Sequence, residues 1–146
     1  MVSSSNSFDK ITTTELKQIH NPKGSIGHLL KSTDTSFAGF GEAYLTRVHV
    51  NTVKAWKRHN KMIMNLIVLS GVVRFVFYHD QKKYFKSCVI KSEDFKRLTI
   101  PPMIWFGFQG LGSTTSTILN LASIVHDPLE VETAPVYTYE YNWEKQ

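Results

Sequence analysis

What most narrows the possible fold is the spacing of the apolar residues. No segment carries a long 3.6-residue apolar period; the apolar residues fall instead into short runs broken by turns. Ala43–Val50 (AYLTRVHV) alternates, with Tyr44, Thr46, Val48 and Val50 on one face. Leu66–Leu69 is a continuous β-type run, and Val72–Tyr78 resumes it after Ser70-Gly71, so the two read as antiparallel neighbours through a tight turn. Tyr84–Ile90, Lys96–Ile100 and Thr117–Ser123 add further strands, and Gly107–Gly112 reads as a Gly-rich corner. Asn21-Pro22-Lys23-Gly24 is a turn by its Pro and Gly, and Phe37–Gly41 is a second Gly-punctuated bend. A single short helix is predicted near Thr13–Ile19. Eight to eleven short strands at this spacing predict an all-β sandwich or barrel, and small barrels and jelly rolls hold ligands in the mouth between their sheets.

The 146 residues suit one domain, with residues 1–10 (MVSSSNSFDK) read as a polar, frayed end and 11–146 as the folded unit. No apolar run is long enough to span a bilayer, and the N-terminus has no apolar signal core; a cytoplasmic protein without a membrane partner is expected. The single cysteine, Cys88, leaves no internal disulfide and fits a reducing compartment; nothing around it suggests an activated thiolate. The net charge of +5 comes from scattered Lys and Arg, without the aromatic-plus-basic pattern of an RNA-binding sheet, so nucleic acid is not an expected partner. A small anion such as a diphosphate, which needs only a few converging cations, fits better.

The segment VKAWKRHNKMIMNLIVLSG, Val53–Gly71, concentrates the candidates. Lys54, Lys57, Arg58 and His59 directly precede a run apolar enough to be buried, as a solvated rim or as the mouth of a cavity. By strand alternation Lys57 and His59 share a face with Ala55, while Arg58 points the other way. His59 is either a base or a rim side chain. Lys57 is either a desolvated base or a cation for phosphate or a carbonyl oxygen. Arg74 and Tyr78 share one face of their strand with Val72 and Val76; Arg74 among apolar neighbours implies a paired charge or a ligand contact, and Tyr78 is a candidate acid. Trp56, Trp105 and Phe106 are either stacking surfaces or ordinary core. A cupin-type metal site needs His-x-His, a carboxylate and a later His, and here Lys57-Arg58-His59 and Phe106 supply one ligand of that set, so no metal and no cofactor are expected.

VKAWKRH (Val53–His59), LSGVVRFVFYHD (Leu69–Asp80), LTIPPMIWFGFQGLG (Leu98–Gly112) and ILNLASIVHDP (Ile118–Pro128) together resemble the RmlC-like cupin family of dTDP-4-dehydrorhamnose 3,5-epimerases and their sugar-isomerase relatives. NPKGSIGHLL (Asn21–Leu30) is similar to a worn form of that family's early Arg-Gly motif, and the likeness covers about Asn21 to Tyr141. The resemblance implies a single-domain cupin jelly roll and a homodimer whose N-terminal strand pairs with the partner's sheet. It also implies a nucleotide-linked 4-keto sugar as ligand, in cell-surface polysaccharide biosynthesis. Its chemistry is proton removal beside a ketone and return of the proton, which needs a base, an acid and a group to hold the enolate.

Carried over by position, the family's base falls on Lys57, with His59 two residues on. The Asp that orients the base falls on Ile124, the acid Tyr on Asn120, the His of the Pro-Pro segment on Phe106, and the enolate Lys on Met64. Lys54 and Lys23 stand where the family has phosphate-facing Arg, and His28 where it has a base-reading Glu. The expected activity is therefore metal-free epimerase or isomerase chemistry with His59 or Lys57 as base and Tyr78 as replacement acid. Lys23, Lys54, Arg74, Trp105 and Asn120 are the expected substrate contacts. The alternative is a non-catalytic cupin that binds a nucleotide sugar or another small anion.

Overall fold

The computed structural model describes residues 7–145. Twelve strands are formed among them: β1 (Thr12–Glu15), β2 (Gln18–Ile19), β3 (Ile26–Gly27), β4 (Glu42–Val48), β5 (Val53–His59), β6 (Met64–Ser70), β7 (Val72–His79), β8 (Tyr84–Lys91), β9 (Lys96–Ile100), β10 (Trp105–Leu111), β11 (Ser116–Ala122) and β12 (Val131–Thr133). Ten of them build two five-stranded antiparallel sheets, ordered β1-β9-β6-β11-β4 and β12-β5-β10-β7-β8, while β2 and β3 form a separate hairpin. The result is the all-β sandwich that the short-run pattern predicts, in the jelly-roll form that the family resemblance implies. No helix among the described residues is long and apolar enough to cross a membrane.

The core lies between the sheets, where alternate residues of each strand meet. Val73, Phe75 and Phe77 of β7 face Met64, Leu66 and Val68 of β6, with Leu98, Ile100, Phe106 and Ile118 completing the layer. Phe75 and Leu98 are fully buried, and burying a side chain of this size contributes about 1.5–3 kcal/mol. Tyr44, Thr46 and Val48 of β4 point the same way, as their alternation requires.

Four expectations are corrected. The helix expected near Thr13–Ile19 is replaced by β1 and β2; β1 takes up ladder bonds from Thr12 to Glu15 against β9, and three successive threonines favour that extended state. Residues 7–10 form a 3-10 turn with Phe8 buried against the core, so the frayed end can only concern residues 1–6, which lie outside the described residues. β6 and β7 belong to different sheets. Gly71, at φ +89°, turns the chain across the sandwich, and a Cβ there would meet Ser116 Oγ at 2.2 Å, so the crossing admits only glycine. Finally, Gly107 and Gly110 lie inside β10, which pairs with β7 over its whole length, and the Gly-rich corner reduces to Gly112.

Candidate active site

β5 carries the site, and its ladder with β10 is irregular. Lys57 opposes Phe106 and Ala55 opposes Gly107, so two residues on β5 answer one step on β10 and Trp56 is the extra one. Such a bulge breaks strict alternation and re-aims the side chains beyond it. Lys57 and, past the bulge, Lys54 are paired with Phe106 and Phe108, both of which face the interior. Lys54, Lys57 and His59 consequently all line one cavity of about 440 Å³ between the sheets. Phe106, Phe108, Met64 and Leu66 form its apolar walls, with Tyr44, Thr46, Asn120 and Thr133 as polar groups. Arg58 points outward to Glu132 and Asp80 and lies over the Trp105 ring.

His59 is 3% exposed, and its Nδ1 is held by Glu130 Oε1 at 2.5 Å. The carboxylate arrives from a short turn, Pro128–Glu130, which Asp127 caps by accepting from the Leu129 N–H; immediately afterwards β12 pairs Val131 with His59. Glu130 Oε2 accepts from the backbone N–H groups of Asn60, Lys61 and Met62 at 3.1, 3.0 and 3.2 Å, because the chain leaving β5 curls around it. A carboxylate so surrounded is ionised and accepts a hydrogen bond from the His59 Nδ1–H, which leaves Nε2 as the basic nitrogen of the ring.

Burial lowers the His59 pKa below its ordinary 6.5, and the Glu130 hydrogen bond and charge offset only part of that. For Glu130, burial pushes upward, but the His59 bond and the N–H groups of Lys61 and Met62 prevail and hold it below its ordinary 4.5. Both folded values lie under the unfolded ones, so the unfolded chain binds protons first as the pH drops. The His59 contribution is lost from about 6.5 downward, and the stability from ionised Glu130, present above about 4.5, is lost as the pH falls through its folded value. Thermal unfolding should therefore shift to lower temperature between pH 7 and pH 4; an unchanged midpoint over that range would count against the pair.

Across the cavity, Asn120 of β11 is directly opposite Tyr44 of β4, and Asn120 Nδ2 donates to Tyr44 Oη at 2.8 Å. The amide is itself fixed, since its Oδ1 accepts from the Asn65 N–H. With its oxygen accepting from Asn120, the Tyr44 proton is free for a ligand; its other neighbour is the weak acceptor Met62 Sδ at 4.0 Å. Burial raises the Tyr44 pKa, the Asn120 bond opposes this, and the charges of Glu42 and Glu130 add to the rise. Tyr44 is thus protonated at neutral pH.

The remaining candidates fall elsewhere. Arg74 and Tyr78 are on the outer face of β7, where Arg74 is 8% exposed and bonded to Gln109 Oε1 and the Trp143 carbonyl, and Tyr78 packs on Phe85 and Tyr139. The alternation that groups them with Val72 and Val76 holds, but that face turns away from the cavity because Val73, Phe75 and Phe77 take the inside. Trp105 belongs to the same outer cluster. Lys23 sits exposed in the turn between β2 and β3 and does not line the cavity. Lys57 is exposed at the rim of the cavity. Burial pushes the Cys88 thiol up to about 11, in keeping with an inert strand residue. Among the described residues no three His, Cys, Asp or Glu side chains converge as a metal site would need.

Sequence reasoning missed two groups. Tyr44 was legible, since alternation groups it with Thr46 and Val48 on one face of β4 and the position matched to the family's tyrosine, Asn120, lies directly opposite it. Glu130 was not: only the capping Asp-Pro pair before it hints at a turn, and nothing local says where that turn docks.

Fold and cavity together define an RmlC-like cupin. The model of the family "WxcM-like, C-terminal" (FdtA) matches residues 9–138, and the chain belongs to that family. Among solved structures, a dTDP sugar isomerase from Desulfovibrio desulfuricans G20 is similar at 29% identity, over 93% of this chain and 92% of that one, with a TM-score of 0.84. A variant of the 3,4-ketoisomerase QdtA from Thermoanaerobacterium thermosaccharolyticum, in complex with TDP-4-keto-6-deoxyglucose, shares the fold at 20% identity, over 84% of this chain and 86% of that one (TM-score 0.73). So does a dTDP-4-dehydrorhamnose 3,5-epimerase from Bacillus anthracis with TDP and PPi bound, at 12% identity over 92% and 83% (TM-score 0.76). No curated protein matches the sequence.

Proposed function

We propose that this chain is a sugar-nucleotide isomerase or epimerase acting on a dTDP-linked 4-keto sugar in cell-surface polysaccharide biosynthesis. The observation that carries this is the buried His59–Glu130 pair opening on a cavity that also holds Tyr44. The 29% identity to a dTDP sugar isomerase over nearly the whole chain supports the substrate class.

In this mechanism His59 Nε2 takes the proton from a carbon beside the ketone. The C–H electron pair becomes the enolate double bond, and the carbonyl oxygen takes the negative charge. Glu130 steadies the imidazolium that results. Tyr44 donates a proton to the intermediate, at oxygen or carbon, with Asn120 holding its hydroxyl in place; the imidazolium then gives its proton to water and Tyr44 regains one from solvent, which resets both groups. Lys54 and Lys57 at the rim meet the diphosphate. A homodimer in the cytoplasm is part of the proposal; Leu45 and Leu69, about half exposed on the outer face of the first sheet, offer it an apolar surface.

The test is proton exchange. Incubation with dTDP-4-keto-6-deoxyglucose in deuterated water should place deuterium at C3 or C5 of the sugar, read by NMR or mass spectrometry. Tight binding with no label would reduce the protein to a binding cupin.

A further inference from the structure

A regular strand cannot present Lys54 and Lys57 on one side, because residues three apart point to opposite faces. Yet both line the cavity. The bulge reconciles the two, since it makes residues 54 and 57 count as neighbours on one face. On β10 their partners Phe108 and Phe106 are two positions apart, so the lysine Cα atoms stand about 7 Å from each other; Lys54 Nζ donates to the Arg47 carbonyl at 2.7 Å, and exchanging that bond for a phosphate oxygen lets both ammonium groups share one diphosphate.

What holds the extra residue out of the ladder is Trp56. Its N–H donates to the Ala134 carbonyl at 2.9 Å, and its own carbonyl accepts from the Ala134 N–H at 3.0 Å. Its indole Nε1 donates to the Val136 carbonyl at 3.0 Å. The ring, 2% exposed, packs on Phe85, Tyr139 and Trp143 on the outer face. On the opposite strand the bulge needs space, and Gly107 supplies it: a Cβ there would lie 2.5 Å from that of Ala55. A large apolar side chain is thereby drawn to the outside at the one residue where the inside changes phase.

We propose that Trp56 is a positioning residue for anion binding: pinned beneath the C-terminal segment, it brings Lys54 to the face of Lys57 and His59 and so creates a two-cation clasp for a diphosphate. This rests on the nucleotide-sugar reading above and specifies how that site takes its charged end.

The probe is inorganic pyrophosphate, titrated calorimetrically into the full chain. Lys54→Ala and Lys57→Ala should each weaken it roughly tenfold or more, as loss of a charge-assisted contact does. Trp56→Val should weaken it as much as Lys54→Ala does, and Trp56→Phe should restore most of the affinity. In the Trp56→Val background, Lys54→Ala should cost less than about threefold, because Lys54 no longer contributes. A merely structural tryptophan would leave the Lys54→Ala effect intact, and that result overturns the proposal while the diphosphate site stands. If neither lysine substitution alters affinity, the clasp and the diphosphate reading fall together. Should Trp56→Val not fold, the exchange Val53→Lys with Lys54→Val decides, with Trp56 and the net charge untouched. It should bind as poorly as Lys54→Ala, and wild-type affinity in it overturns the proposal, since strict alternation would place residue 53 beside 57 and 59.

Discussion

His59→Asn is expected to lower kcat on a dTDP-4-keto sugar by at least about a hundredfold while changing ligand affinity no more than about threefold. Proton transfer by a positioned side chain is worth roughly 10²–10⁴ in rate, and among the described residues His59 is the only histidine lining the cavity. Asparagine preserves a donor toward Glu130 and much of the volume, so the walls formed by Phe106 and Met64 should stay in place. The pH profile supplies an independent check. His59 must be neutral to act, and burial keeps its pKa under the ordinary 6.5. The wild-type kcat/KM should therefore be flat near neutrality and fall only below about pH 6.5. Steady-state kinetics with turnover retained in the variant would remove His59 from the mechanism.

Glu130→Gln is expected to cost about 10²–10⁴ in kcat with little change in KM, by analogy with other carboxylates that hold a catalytic imidazole in its working tautomer. The amide can still accept from Asn60, Lys61 and Met62 through its oxygen, but then its NH₂ faces His59 Nδ1. That reverses the hydrogen bond, favours the proton on Nε2 and removes the lone pair from the substrate side. It also takes away the charge that stabilises the imidazolium. Because Glu130 raises the His59 pKa, whatever activity remains should show its acid limb at lower pH than wild type. Wild-type kcat in Glu130→Gln would reduce the carboxylate to a folding element.

The fold was legible in the sequence wherever a strand obeys its period. Tyr44, Thr46 and Val48 face inward as alternation demands, and Val73, Phe75 and Phe77 separate from Arg74 and Tyr78. What alternation does not say is which face is the inner one, and this alone misplaced Arg74 and Tyr78: both faces of β7 are buried, one by the opposite sheet and one by the aromatic C-terminal segment. Pairing was harder still. Two apolar runs around Ser70-Gly71 look the same whether they form a hairpin or cross between sheets, and the difference lies in Gly71 meeting Ser116, forty-five positions away. In the site, Lys57 and His59 fall on a common face as period two requires, but Lys54 joins them only through the bulge. Glu130 lies seventy-one residues from His59, and no pattern at either end announces the contact.

Tyr44 and His59 stand on strands of different sheets, so the proposed proton transfer between them can be tuned through the packing that separates the sheets. No ladder bond fixes the gap between donor and acceptor; the gap is whatever thickness the intervening hydrocarbon allows. Trimming or thickening a spacer such as Phe108 would open or narrow these jaws, altering proton-transfer distance with no reacting group exchanged. Changes of substrate geometry within the lineage could then be met by resizing filler while the machinery stays as it is.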